Sequence, residues 1–107
     1  MNANKSTYFA ALPEDQQRFL VRWLSDNFIK TASVNRRHTA YGIKQPLSRL
    51  FFYVTEKQLE DAMRRAGFSV ELNKLGKPQF NISEKSPAFA LLRTTGAGLD
   101  WRSVYPE

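Results

Sequence analysis

The chain has 107 residues, 42% of them hydrophobic and 13% aromatic, a net charge of +6 and no cysteine. That length and apolar content suit one domain with one core and argue against disorder, while the missing thiols exclude disulfides and thiolate metal sites and fit a reducing, cytoplasmic setting. The positive charge favours an anionic partner, and residues 1–17 hold no continuous apolar run, so neither a secretory signal nor a membrane partner is expected.

The charge is unevenly placed. No acidic residue occurs between Asp26 and Glu56, whereas Lys30, Arg36, Arg37, Lys44 and Arg49 all fall there; five cations and no carboxylate give this window +5 of the total +6. The plain alternative is a set of solvated surface cations, which any small basic protein carries.

In chain order, Leu12-Pro13-Glu14-Asp15 reads as a helix start, with proline pre-set for the first position and two carboxylates at the positive end of the dipole. Phe19, Leu20, Trp23, Leu24 and Phe28 form one apolar face at helical spacing, which predicts a helix over 13–30 with core aromatics. Thr39 is a candidate N-cap for a short second helix, in which Tyr41 and Ile43 are expected to pack. Pro46 predicts that this helix is short, kinked or restarted near Gln45. Leu50-Phe51-Phe52-Tyr53-Val54 is aromatic and β-branched, a strand pattern.

Thr55-Glu56-Lys57-Gln58 is a capping box. Leu59, Ala62, Met63 and Ala66 continue it as a helical face, and Gly67 suits a left-handed end. Residues 68–72 and 79–83 alternate apolar and polar on either side of the turn residues Asn73 to Pro78, which predicts a β-hairpin. Ser86-Pro87 suggests a further helix start running to Arg93, with Ser86 as the cap. Thr94 to Gly98 reads as a linker-like break. The tail after it carries Trp101 and Tyr105, with three destinations open: docking on the domain, docking on a second copy in a homodimer, or a mobile terminus. The expected organisation is an N-terminal extension over 1–12, a domain over 13–93 and a tail over 94–107.

Catalytic chemistry has little to stand on. His38 is the one histidine, and no metal-ligand spacing, phosphate-cradling glycine loop or nucleophile elbow is present. Glu60 and Asp61 are adjacent on a helix, so their side chains diverge. A lone histidine in a basic loop is more often a surface or capping residue than a base. The expectation is a non-enzyme with no cofactor and no metal.

The order of helices followed by a hairpin is that of a winged helix. This is an α+β reading with three N-terminal helices, the short strand 50–54 joining a C-terminal hairpin as its third member. The segments "RHTAYGIK", "YVTEKQLEDAMRRAGF" and "FNISEKSPAF" resemble a pattern in small, mostly uncharacterised proteins of phages, prophages and plasmids. Those proteins carry roughly "SYGLKH", then "YVSNGEF…AMLAAGF", then "FNIS". The likeness runs from Thr39 to about Phe89 and implies a mobile-element setting and a fold. The chain departs from it at Gln45-Pro46 and at Glu56-Lys57.

The functional expectation is a nucleic-acid-binding accessory or regulatory protein, with duplex DNA as the partner. Arg36, Arg37 and Lys44 would hold phosphates, Arg64 and Arg65 would approach the groove from the third helix, and Lys74 and Lys77 would be contacts from the wing. The competing expectation is a protein-interaction module that binds an acidic surface on a host or phage nucleic-acid-processing complex. It draws on the mixed charge of the third helix, where Glu60–Arg64 and Asp61–Arg65 have the spacing of ion pairs.

Overall fold

In the computed structural model of the chain, Glu14 and Asp15 sit in the first turn of α1 (Glu14–Asn27), where the helix dipole favours carboxylates. The described residues are 8–94 and 100–105. The expected extension ahead of Tyr8, the linker-like break beyond Thr94 and the last two positions of the tail lie outside them. Phe19, Leu20, Trp23 and Leu24 form the buried face of α1, as their spacing requires. The helix ends at Asn27 rather than near residue 30. Phe28 N–H still donates to the Leu24 carbonyl, but the next backbone groups are taken by distant partners. Ile29 N–H donates to Ser86 Oγ at 2.8 Å, and the Ile29 carbonyl accepts from Ser83 N–H at 2.8 Å.

Thr39 caps α2 (Ala40–Leu50) by accepting from Gly42 N–H at 3.3 Å. Ala40, Ile43, Leu47 and Leu50 are its buried stripe, whereas Tyr41, expected to pack, is 50% exposed. Pro46 neither breaks nor restarts the helix. The carbonyl that a proline leaves without a donor belongs to the residue four back, here Gly42, which is exposed so that water can serve it.

Leu50–Val54 is not a strand. Leu50 completes the stripe of α2, and Phe51 N–H still donates to the Leu47 carbonyl at 3.0 Å. The Phe51 ring lies 4.9 Å from that of Phe19 and 5.1 Å from that of Trp23, so burial against α1 fixes it. Ser48 Oγ accepts from Val54 N–H at 2.9 Å and donates to the Val54 carbonyl at 3.2 Å. One hydroxyl therefore satisfies both backbone groups that a strand would have used.

The capping box opens α3 (Glu56–Arg65). Gln58 N–H donates to Thr55 Oγ1 and Thr55 N–H to Gln58 Oε1, each at 3.0 Å. Leu59, Ala62 and Met63 are buried, and Gly67 ends the helix with φ of 94°, a conformation that disfavours a Cβ.

The hairpin pairs β1 (Val70–Leu72) with β2 (Pro78–Phe80), Val70 opposite Phe80 and Leu72 opposite Pro78. Both strands are shorter than the expected 68–72 and 79–83, and Pro78 belongs to β2 rather than to the turn. Asn73 shapes that turn by accepting from Leu75 and Lys77 N–H, each at 2.9 Å. Support for the hairpin comes from the loop after α1, not from 50–54. Lys30 bridges Ile82, Thr31 N–H donates to the Asn81 carbonyl, and Asn35 N–H donates to the Phe80 carbonyl.

Pro87 begins α4 (Pro87–Leu92), but the Ser86 hydroxyl does not cap it, being committed to Ile29. Beyond it, Trp101 packs on Phe19 at 5.1 Å and Phe52 at 5.2 Å, and Tyr105 Oη donates to Asp26 Oδ2 at 2.8 Å. Of the destinations open to the tail aromatics, docking on the domain is the one adopted. Among the described residues the fold is α+β, four α-helices around a core that includes Leu20, Leu24, Leu47, Leu59 and Phe80, with a two-stranded antiparallel hairpin. None of these helices is long and apolar enough to cross a membrane.

Candidate nucleic-acid interface

The expected contact residues fall on the loop before α2, on α2, on α3 and on the hairpin turn, and their surroundings separate them. Arg36 is engaged on three sides. Its Nη2 forms an ion pair with Glu71, its Nη1 donates to Gln79 Oε1 at 3.1 Å, and Gln79 Nε2 donates back to the Arg36 carbonyl at 3.0 Å. Gln79 is buried, so this exchange fastens the loop to the hairpin. Arg37 is exposed, with no carboxylate within ion-pair distance among the described residues; its backbone N–H donates to Asn35 Oδ1.

Arg64 and Arg65 at the end of α3 are both occupied. Arg64 pairs with Glu60 at 2.9 Å, as the spacing predicts. Asp61 instead pairs backward with Lys57 at 3.6 Å, and the Arg65 guanidinium lies 4.5 Å from the centre of the Phe9 ring. Lys74 and Lys77 are exposed on the hairpin turn, without a carboxylate partner among the described residues.

The Lys44 ammonium lies 5.6 Å from the Tyr41 ring centre and 5.1 Å from that of Tyr53, which is 66% exposed. Tyr41, Gln45 and Arg49 follow one another at intervals of four residues and so share one row of α2; Gln45 Nε2 donates to Tyr41 Oη at 2.6 Å. This row forms one wall of an open groove of about 960 Å³ whose other wall is α4, with Pro46, Phe89 and Leu92 supplying apolar lining and Arg49 and Arg93 supplying charge. Among the described residues no carboxylate lines it. Lys30, the remaining cation of the acid-free window, lies 5.0 Å from the Phe68 ring centre, away from this groove.

His38 also lines the groove. Its ring stacks on Phe89 at 4.2 Å, and its Nε2 lies 2.6 Å from Glu84 Oε1. The Asn35 amide, donating to the same oxygen at 2.9 Å, is the main reason that the Glu84 carboxyl sits below the usual carboxylate range; desolvation opposes it and the His38 contact adds to it. Among the described residues, no three metal-ligating side chains converge.

Two contributors to this face were missed from the sequence. Arg49 stood inside the acid-free window and Arg93 inside a second stretch, Lys85 to Leu99, that also has no acidic residue. Only the packing of α4 beside α2 joins them. No family model, curated protein or solved structure matches the chain.

Proposed function

We propose that this chain is a winged-helix-like, non-catalytic nucleic-acid-binding protein of a phage or plasmid. It takes duplex DNA as partner and serves an accessory or regulatory role. The observation that carries the reading is the groove between α2 and α4, where Arg49 and Arg93, far apart in sequence, share one surface that no carboxylate lines among the described residues, with Lys44 on α2 beside Tyr41. Cations without local carboxylates release the counterions of a phosphate backbone on binding, and that release supplies most sequence-tolerant affinity. Three helices followed by a hairpin support the winged-helix description, and Lys74 and Lys77 at the hairpin turn suit wing contacts. The balanced charges of α3 shift the weight of binding from that helix to α2 and argue for backbone contacts over base readout.

Fluorescence anisotropy of a labelled duplex across a salt series tests this. The expected result is a linear fall of log affinity with log salt, and Arg49→Ala should lower the slope by about one. Absence of duplex binding at low salt would sink the proposal. The second reading is an interaction module for an acidic protein surface. It is favoured by the apolar lining of the groove, which a bare phosphate backbone does not require.

A further inference from the structure

The α2–α4 face has two properties that a duplex backbone uses only in part. It carries cations, and it carries aromatic faces left open to solvent. Tyr41 is 50% and Tyr53 66% exposed, and the Lys44 ammonium lies within 5.6 Å of both ring centres. Neither ring belongs to the hydrophobic core. Beside them runs the groove lined by Pro46, Phe89 and Leu92 with guanidinium groups from Arg49 and Arg93. Bases in a duplex present their edges to a protein and keep their faces stacked on one another. Unpaired nucleotides present a flat apolar face and a phosphate at every step, which matches both halves of this surface.

We infer that this face takes unpaired bases, with Tyr41 and Tyr53 as stacking platforms and Lys44, Arg49 and Arg93 holding the phosphates of the same strand. This rests on the nucleic-acid reading above and narrows its ligand to DNA with a single-stranded segment, such as a duplex with an overhang. The Lys44 ammonium, near both ring centres, pairs the two platforms and neutralises strand charge between them. Among the described residues no carboxylate lines the groove, and Glu84, 2.6 Å from the lining residue His38, is paired there, which lowers the repulsion that a strand would meet.

The test compares three labelled probes on the full chain: a blunt duplex, the same duplex with an oligothymidylate overhang, and the oligothymidylate alone. Poly-L-glutamate serves as a polyanion without bases. The overhang duplex is expected to bind on the order of a hundredfold tighter than the blunt one, about tenfold for each of two stacked bases. Tyr41→Ala and Tyr53→Ala should each remove about tenfold of that preference and weaken blunt-duplex binding far less. Tyr41→Phe, which keeps the ring and loses the hydroxyl, should retain it. Both positions are exposed, so unchanged thermal unfolding is expected of all three variants.

Equal binding of blunt and overhang duplexes, untouched by the tyrosine variants, would overturn the inference and leave duplex binding standing. Binding of the oligothymidylate that depends on Tyr41, with no binding of the blunt duplex, would uphold the inference and reject the duplex as partner. If poly-L-glutamate competes as well as oligothymidylate of equal charge, the occupant is an acidic protein segment and the inference fails. Retention of none of the probes at low salt removes both readings.

Discussion

Arg36 and Arg37 are adjacent in the chain and do different work. The Arg36 guanidinium is shared between Glu71 and the buried amide of Gln79, whose own donor returns to the Arg36 carbonyl. Removing that side chain leaves the Gln79 oxygen inside the fold without its guanidinium donor. Arg36→Ala should therefore lower the unfolding free energy by about 1–3 kcal/mol, the cost of an unsatisfied buried polar group. Arg37 has no comparable contact among the described residues, so Arg37→Ala should leave stability within about 0.5 kcal/mol and weaken nucleic-acid binding instead. Urea unfolding of both variants, alongside anisotropy with a duplex, separates the two roles; equal stability losses would refute the division. Neighbouring sequence gives no hint of it, because Gln79 and Glu71 reach Arg36 only through the hairpin.

At the scale of elements, what was legible depends on how local the deciding bonds are. The α3 capping box is complete within Thr55 to Gln58, and the helix begins where those residues say it should. Thr55→Ala removes the side-chain acceptor for Gln58 N–H and should cost about 1 kcal/mol, measured as a shift of the urea midpoint with an unchanged slope. No shift would mean that water replaces the cap. The end of α2 was illegible for the converse reason. Leu50 to Val54 has strand-forming residues, but Phe19, Trp23 and the Ser48 hydroxyl decide its conformation, and tertiary packing outweighs an intrinsic preference of this size. Ser86 repeats the lesson: its position predicts a cap, yet the Ile29 N–H, distant in sequence, takes the hydroxyl. On α3 the charges were legible as ion-pair partners in kind, although Asp61 chose Lys57 over Arg65.

The whole molecule rearranges what the chain keeps apart. The acid-free window from Asp26 to Glu56 acquires Glu71 against Arg36 and Glu84 against His38 once the hairpin packs on the loop, so part of its charge is compensated in space. Arg93, from another part of the chain, joins Arg49 at the groove instead. The candidate site was thus readable as an excess of charge and not as a surface. The tail is drawn in by the same long-range packing. Trp101 packs against both Phe19 and Phe52, and the Tyr105 hydroxyl donates to Asp26 with the Arg22 guanidinium 3.9 Å from the centre of its ring. Desolvation first, and then the Asp26 carboxylate, push the Tyr105 phenol from its ordinary 10.0 up to about 12. The fold therefore favours the neutral phenol over the phenolate. Its contribution to holding the tail is complete below pH 10.0 and is lost as pH rises from there through about 12. An alkaline titration followed by Trp101-sensitive fluorescence should show the tail loosening in that window, and Tyr105→Phe, which cannot ionise, should abolish that step. A Tyr105→Phe protein that loosens over the same pH range as the parent would assign the transition to some other group and remove Tyr105 as the tail's alkaline latch.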